Sequence, residues 1–127
     1  MIDAVLDASA VLAYLRNERG ADIVAARIAD CVLTSVNAGE VVTKLIARGL
    51  AAESAAESVE LLPCSIVAVD GELGLRAGAL SADTAQAGLS LGDRICLAYA
   101  EREGVAALTA DQGWRRVALP ITVEYIR

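Results

Sequence analysis

The sequence contains no histidine and no phenylalanine, and only one lysine, one tryptophan and two prolines. Without imidazole, whole classes of chemistry are excluded: Ser-His-Asp and Cys-His nucleophile systems, an imidazole general base, and histidine-ligated zinc or iron. Aromatic side chains are confined to Tyr14, Tyr99, Trp114 and Tyr125, too few for the platform on which single-strand binders stack successive bases. Cys31, Cys64 and Cys96 are far apart, sit in apolar segments and form no CxxC pair. They read as reduced thiols packed like small apolar residues, not as a zinc or redox motif. No run of about 18 uncharged apolar residues is present to span a bilayer. Met1-Ile2-Asp3 does not open a basic segment followed by an apolar one, so no signal peptide is expected and the expected location is the cytoplasm.

What is present is a chain of 127 residues, 56% hydrophobic. That composition excludes disorder and predicts one domain over 1–127, large enough to bury about two thirds of the surface of the unfolded chain. Eleven basic against seventeen acidic residues give a net charge of −6, which on its face disfavours a nucleic-acid partner. Cations bound to a cluster of the acids would offset much of that charge, and the local potential counts for more than the total. Apart from Lys44 every basic residue is arginine, the side chain suited to bidentate phosphate contacts.

Apolar runs alternate with helical periodicity. Strands are predicted at 2–7, 31–34, 65–69, 105–109 and 121–125. Helices are predicted at 9–17, 20–30, 36–48, 51–62, 71–80 and 91–103, with a turn of helix near 112–116. Gly49 and Gly104 stand where helices should stop. The stretch 81–90 reads as polar and flexible, and 51–62 as an apolar segment offering an interaction surface. Near-continuous apolar strands between helices predict a three-layer α/β/α sandwich with a mainly parallel central sheet.

In such sheets ligands bind beyond the C-terminal strand ends, and four acids fall there. Asp7 and Asp111 each end an apolar run, while Glu40 and Asp93 lie in the opening turns of helices. Each also has a plain structural reading: Asp7 and Asp111 as helix caps, Asp93 in a Ser90 capping box, Glu40 as a solvated helix acid. Together they would repel one another unless a cation joined them. Ser9, Asn37 and Thr109 accompany them as groups able to orient carboxylates or hold water, or equally as turn and cap residues. Oxygen-only ligands favour Mg²⁺ or Mn²⁺.

The segments Val5-Leu6-Asp7-Ala8-Ser9, Asn37-Ala38-Gly39-Glu40, Ser90-Leu91-Gly92-Asp93-Arg94 and Leu108-Thr109-Ala110-Asp111 stand in order. Their spacing resembles that of PIN-domain ribonucleases, in particular the VapC toxins of toxin–antitoxin pairs, over essentially the whole chain. The resemblance implies a PIN-like sandwich and a quartet of Asp7, Glu40, Asp93 and Asp111 that binds Mg²⁺ or Mn²⁺, with Thr109 supporting the last acid. It also implies endonucleolytic cleavage of RNA to 3′-hydroxyl and 5′-phosphate ends, a VapB-type antitoxin partner and a homodimer. Asp7 and Asp93 are the first choices for direct metal ligands, with Glu40 and Asp111 acting through water or at a second metal position. Arg94 and Lys44 are candidate contacts to the RNA backbone, although Lys44 also stands at i+4 from Glu40, the spacing of an ordinary ion pair. A phosphoryl-accepting receiver domain fits poorly, because Asp7 has no acidic neighbour and no lysine follows a late strand. A DNA substrate, an RNA-processing role outside a toxin–antitoxin pair, and a PIN-like binding module without activity are the alternatives.

Overall fold

Five short apolar segments pair into the sheet at the centre of the computed structural model, which describes residues 1–127. They are β1 (Ala4–Leu6), β2 (Cys31–Thr34), β3 (Ser65–Val67), β4 (Ala106–Thr109) and β5 (Val123–Tyr125), in the order β3-β2-β1-β4-β5. Every pair is parallel, and Leu6 lies level with Leu33 on one side and Leu108 on the other. Parallel neighbours in register send the same side chains to the same face. Ala4, Leu6, Cys31, Leu33 and Leu108 therefore share one core with α1 (Ala8–Leu15), α2 (Ala21–Arg27), α3 (Ser35–Ala47) and α4 (Ala52–Glu60). Val5, Val32 and Ala107 turn to the other face, against α5 (Gly71–Ala79) and α7 (Leu91–Glu103). The expected three layers are the observed ones. Central strands covered on both faces need apolar residues at every position, which is why β1 reads Ala-Val-Leu, all fully buried.

From β1 the chain moves toward β2 and β3, then crosses to β4 on the opposite side of β1. The strand order reverses between β1 and β4, and a crevice opens beyond their C-terminal ends.

Several boundaries differ from the sequence expectation. β1 stops at Leu6 because Asp7 leaves the strand to cap α1, accepting a hydrogen bond from the Ala10 amide at 2.8 Å. The 20–30 helix tightens into a 3₁₀ turn over Ile28–Asp30. The 81–90 stretch is not a flexible loop. It holds α6 (Ser81–Thr84) and a 3₁₀ turn, pinned because Leu80, Thr84 and Leu89 are buried and the Thr84 hydroxyl donates to the Leu80 carbonyl at 2.8 Å. Over 51–62, α4 buries Ala55 and Val59 and exposes Glu53, Glu57 and Glu60, and Leu61 beyond its end is exposed. No helix is long and apolar enough to cross a membrane.

Gly20 opens α2 with φ +95°, and a Cβ there would stand 2.6 Å from the Ile126 carbonyl oxygen. Strained backbone and a backbone clash coincide at this position. Gly20→Ala is expected to destabilise the fold by at least about 2 kcal/mol, read as a lower urea midpoint with an unchanged m-value.

Candidate active site

At the switch point the C-terminal ends of β1 and β4 bring Asp7 and Thr109 together. Asp7 is 2% exposed and Thr109 is fully buried. The Thr109 hydroxyl donates to Asp7 Oδ2 at 2.5 Å, the Ser9 hydroxyl lies 2.8 Å from Oδ1, and the Asp111 and Ala110 amides donate in turn to Thr109 Oγ1 and Ser9 Oγ at 2.9 Å. This chain of bonds ties the first acid to the loop carrying the last. Asp111 is exposed and caps the 3₁₀ turn Gln112–Arg116 through the Gly113 amide at 2.8 Å.

A second network positions Glu40. Thr34 caps α3, and its hydroxyl donates to Asn37 Oδ1 at 2.8 Å. Asn37 Nδ2 then donates to Glu40 Oε1 at 2.7 Å and to the Gly92 carbonyl at 3.0 Å. Both partners of that amide nitrogen are pure acceptors and the Thr34 hydroxyl is a donor, so the orientation of the Asn37 amide is fixed by its neighbours. The Glu40 carboxylate is seated on α7 at Gly92, where any Cβ would fall on its oxygens. Asp93, the next residue, is held in the expected capping box: its Oδ2 accepts from the Ser90 amide at 2.9 Å, and its own amide donates to Ser90 Oγ at 3.1 Å.

All four acids line one cleft of about 480 Å³, together with Ser9, Glu18, Ser90, Lys44, Arg48 and Arg127. None of the four is in an ion pair, whereas Asp3, Glu18, Asp70, Glu101, Glu103 and Glu124 each are. Burial pushes the Asp7 carboxyl up to about 7, against hydrogen bonds from Thr109, the Ala10 amide and Ser9 that pull it down, and the charge of Asp93 raises it further. Beneath the floor lies Cys96, fully buried; desolvation raises its thiol well above the ordinary range, with Asp7, Asp93 and Glu40 adding to the rise. The donor set is thus acidic, all-oxygen and free of ion pairs, which fits a hard divalent cation. No three of the carboxylates are gathered closely enough to chelate one ion by themselves, because each is tied to its own cap or amide.

Two expectations for basic residues are resolved differently. Lys44 lines the cleft and makes no ion pair with Glu40. Arg94 does not line it: its guanidinium lies 3.2 Å and 3.4 Å from the Ala77 and Gly78 carbonyls at the end of α5, where cations meet the negative end of a helix. Sequence reasoning missed Thr34 and Gly92. Thr34 carries the ordinary signal of a helix cap three residues before Asn37. The reason for a glycine at position 92 appears only when α3 and α7 are packed together.

The chain belongs to the PIN domain family, whose profile matches residues 4–120, and PIN domains are generally nucleases. Its fold is similar to chains in several solved structures. DNA-bound VapBC from Salmonella typhimurium matches with a TM-score of 0.78 at 18% identity over 100% of both chains. VapBC2 from Rickettsia felis, bound to a promoter DNA fragment, matches at 0.73 with 15% identity over 98% of each chain. VapBC-1 from nontypeable Haemophilus influenzae matches at 0.69 with 16% identity, over 99% of this chain and 98% of that one. At these identities the likeness is one of fold. Comparison with curated protein sequences gives no match.

The chain has no histidine, so Asp7 is the side chain whose titration crosses neutral pH. Its folded value, about 7, lies above the ordinary 3.8. Between those values the folded state binds the extra proton, so stability falls as pH rises. In EDTA, raising the pH from 5 to 8 should cost the parent about 3 kcal/mol in urea unfolding. Asp7→Asn should show little of that slope and be the more stable protein at pH 8. A parent with equal stability at both pH values would refute the desolvated carboxylate.

Proposed function

We propose that the protein is a divalent-metal-dependent endoribonuclease acting as the toxin of a VapBC-type pair. The observation that carries the reading is the cleft lined by Asp7, Glu40, Asp93 and Asp111, none of them in an ion pair, on a fold whose family is generally nucleolytic. The choice of RNA, with 3′-hydroxyl and 5′-phosphate products, rests on the resemblance of the four motifs to VapC ribonucleases. A VapB-type antitoxin as partner is supported by the fold likeness to chains of VapBC complexes. A homodimer in the cytoplasm completes the proposal.

In this reading Asp7 and Asp93 would hold the cation, Mg²⁺ or Mn²⁺, with Glu40 and Asp111 acting through water or at a second metal position. A bound divalent cation supplies positive charge that lowers the pKa of water and offsets charge developing on the phosphoryl group. The remaining work belongs to the chain. Ser9 and Thr109 fix both oxygens of Asp7, so this carboxylate loses no conformational freedom when it meets a ligand. Asn37 aims Glu40 and ties it to α7. The deep position of Asp7 keeps bulk water from one side of the site, which strengthens every charge interaction there. Lys44 stands at the cleft to meet the substrate backbone.

Incubation of total RNA and tRNA with Mg²⁺ or Mn²⁺ should give discrete products that vanish with EDTA and with Asp93→Asn. Undiminished cleavage by Asp93→Asn would reject the assignment; discrete cleavage of DNA instead would move the substrate. Gly92→Ala provides a subtler check. Alanine is the better helix former by about 1 kcal/mol, and the Glu40 carboxylate is the flexible end of a side chain, so melting should hold or rise. The displaced Glu40 should nevertheless reduce cleavage about 10–100-fold.

A further inference from the structure

Beside the acids, the cleft contains a basic group that the reading above does not use. The turn between α1 and α2 carries Glu18, whose amide donates to the Ala13 carbonyl at 2.9 Å and whose carbonyl accepts from the Ala21 amide at 3.0 Å. Asn17, with φ +52°, makes the preceding bend. Around this one carboxylate stand three guanidiniums from three parts of the chain: Arg16 at 3.6 Å, Arg48 at the end of α3 at 4.0 Å, and Arg127 at 3.6 Å. Glu18, Arg48 and Arg127 line the same cleft as the four acids, and Lys44 joins them one turn before Arg48. In a chain of net charge −6, three of the eleven basic residues thus line the cleft beside the acidic floor, and a fourth, Arg16, stands at Glu18.

What distinguishes this cluster from the other surface ion pairs is the gathering of three guanidiniums on one carboxylate, none of them at hydrogen-bonding distance. Arg27 and Arg76 bind their carboxylates at 2.7 Å and 2.6 Å, at hydrogen-bonding distance. At 3.6–4.0 Å the three arginines feel the charge of Glu18 but spend no N–H group on it. Arg127 donates once, to the Arg19 carbonyl at 3.0 Å. Three positive charges on one negative leave a local surplus with most donors unspent. Such an arrangement is organised by the carboxylate and completed by an incoming anion with several acceptor oxygens.

We infer that Arg16, Arg48 and Arg127, arranged around Glu18, form a subsite for a backbone phosphate of the single-stranded nucleic acid whose scissile phosphate lies over the carboxylates. The inference rests on the nuclease reading and names how that site holds its substrate. A strand carries a phosphate on every nucleotide, so one phosphate over the acidic floor places its neighbours against the cleft walls, where positive charge is needed. An acidic peptide would instead set its own carboxylates against that floor. These arginines are positioning residues, and Glu18 is the anion that the phosphate outcompetes.

The test is binding of a fluorescein-labelled single-stranded RNA of mixed sequence to the Asp93→Asn protein in Mg²⁺, over about 50–200 mM KCl. Adding Arg48→Gln and Arg127→Gln should weaken binding about tenfold and flatten the salt dependence by about 1.4 in log K against log salt, at ~0.7 per lost phosphate contact. Glu18→Gln should tighten binding several-fold. Arg102→Gln, which removes the same charge beyond the other end of α7, should leave the slope alone. In the cleaving protein the double substitution should raise KM and spare kcat. Circular dichroism separates misfolding from these effects, and Glu18→Gln reports a gain that no unfolded protein can give. If the parent cleaves RNA but affinity and slope ignore the double substitution, the subsite is wrong and the nuclease reading stands. If a glutamate-rich peptide binds the cluster more tightly than RNA does, the site belongs to an acidic protein segment and the inference falls. Absence of both cleavage and RNA binding in the parent removes the two together.

Discussion

Asp7 ends the central strand at 2% exposure, yet no arginine or lysine pairs with it. Burying a carboxylate this deeply is tolerable only because Ser9, Thr109 and the Ala10 amide donate to it. Those donors come from β1's own following helix and from β4, so the position of Asp7 depends on the β1–β4 pairing, and that pairing depends on the crossover past β1. The cost left over after these hydrogen bonds appears as a raised pKa. A cation at the site would relieve it.

The acids hold two jobs at once. Asp7 and Asp111 cap a helix or turn and Asp93 closes the capping box of Ser90, as their local sequence suggests. Capping is what aims them: a backbone amide fixes one oxygen of each. A structural explanation and a functional one therefore do not compete at these positions. Glu40 departs from this pattern. It is not a solvated helix acid but half-buried, held by Asn37 and seated on Gly92. The charge of the molecule is likewise divided: a global excess of acid coexists with a basic cluster at the same cleft.

Much of the architecture was legible beforehand. β2 and α7 fall on the expected residues, because both carry strong local signals: an apolar run after a helix, and a serine cap with a terminal glycine, Gly104, at φ +67°. The 81–90 stretch reads as flexible because its few apolar residues sit at irregular spacing, yet Ala87 and Leu89 are recruited by the far core. Arg94 was placed at the cleft by its neighbour Asp93, but adjacent helical residues point about 100° apart, and its guanidinium turns to α5 instead.

By itself the sequence determined the alternation of strand and helix and the parallel sheet, since these follow from periodicity and capping, and with them the sheet edge at which Asp7, Glu40, Asp93 and Asp111 come to line one cleft. The tertiary structure alone decided what surrounds those acids. The union of Ser9 with Thr109, a hundred residues apart, the contact of Gly92 with Glu40, and the meeting of Arg16, Arg48 and Arg127 at Glu18 join residues distant in sequence. No local preference encodes such meetings, because the chain places them only once strand order and helix packing are set.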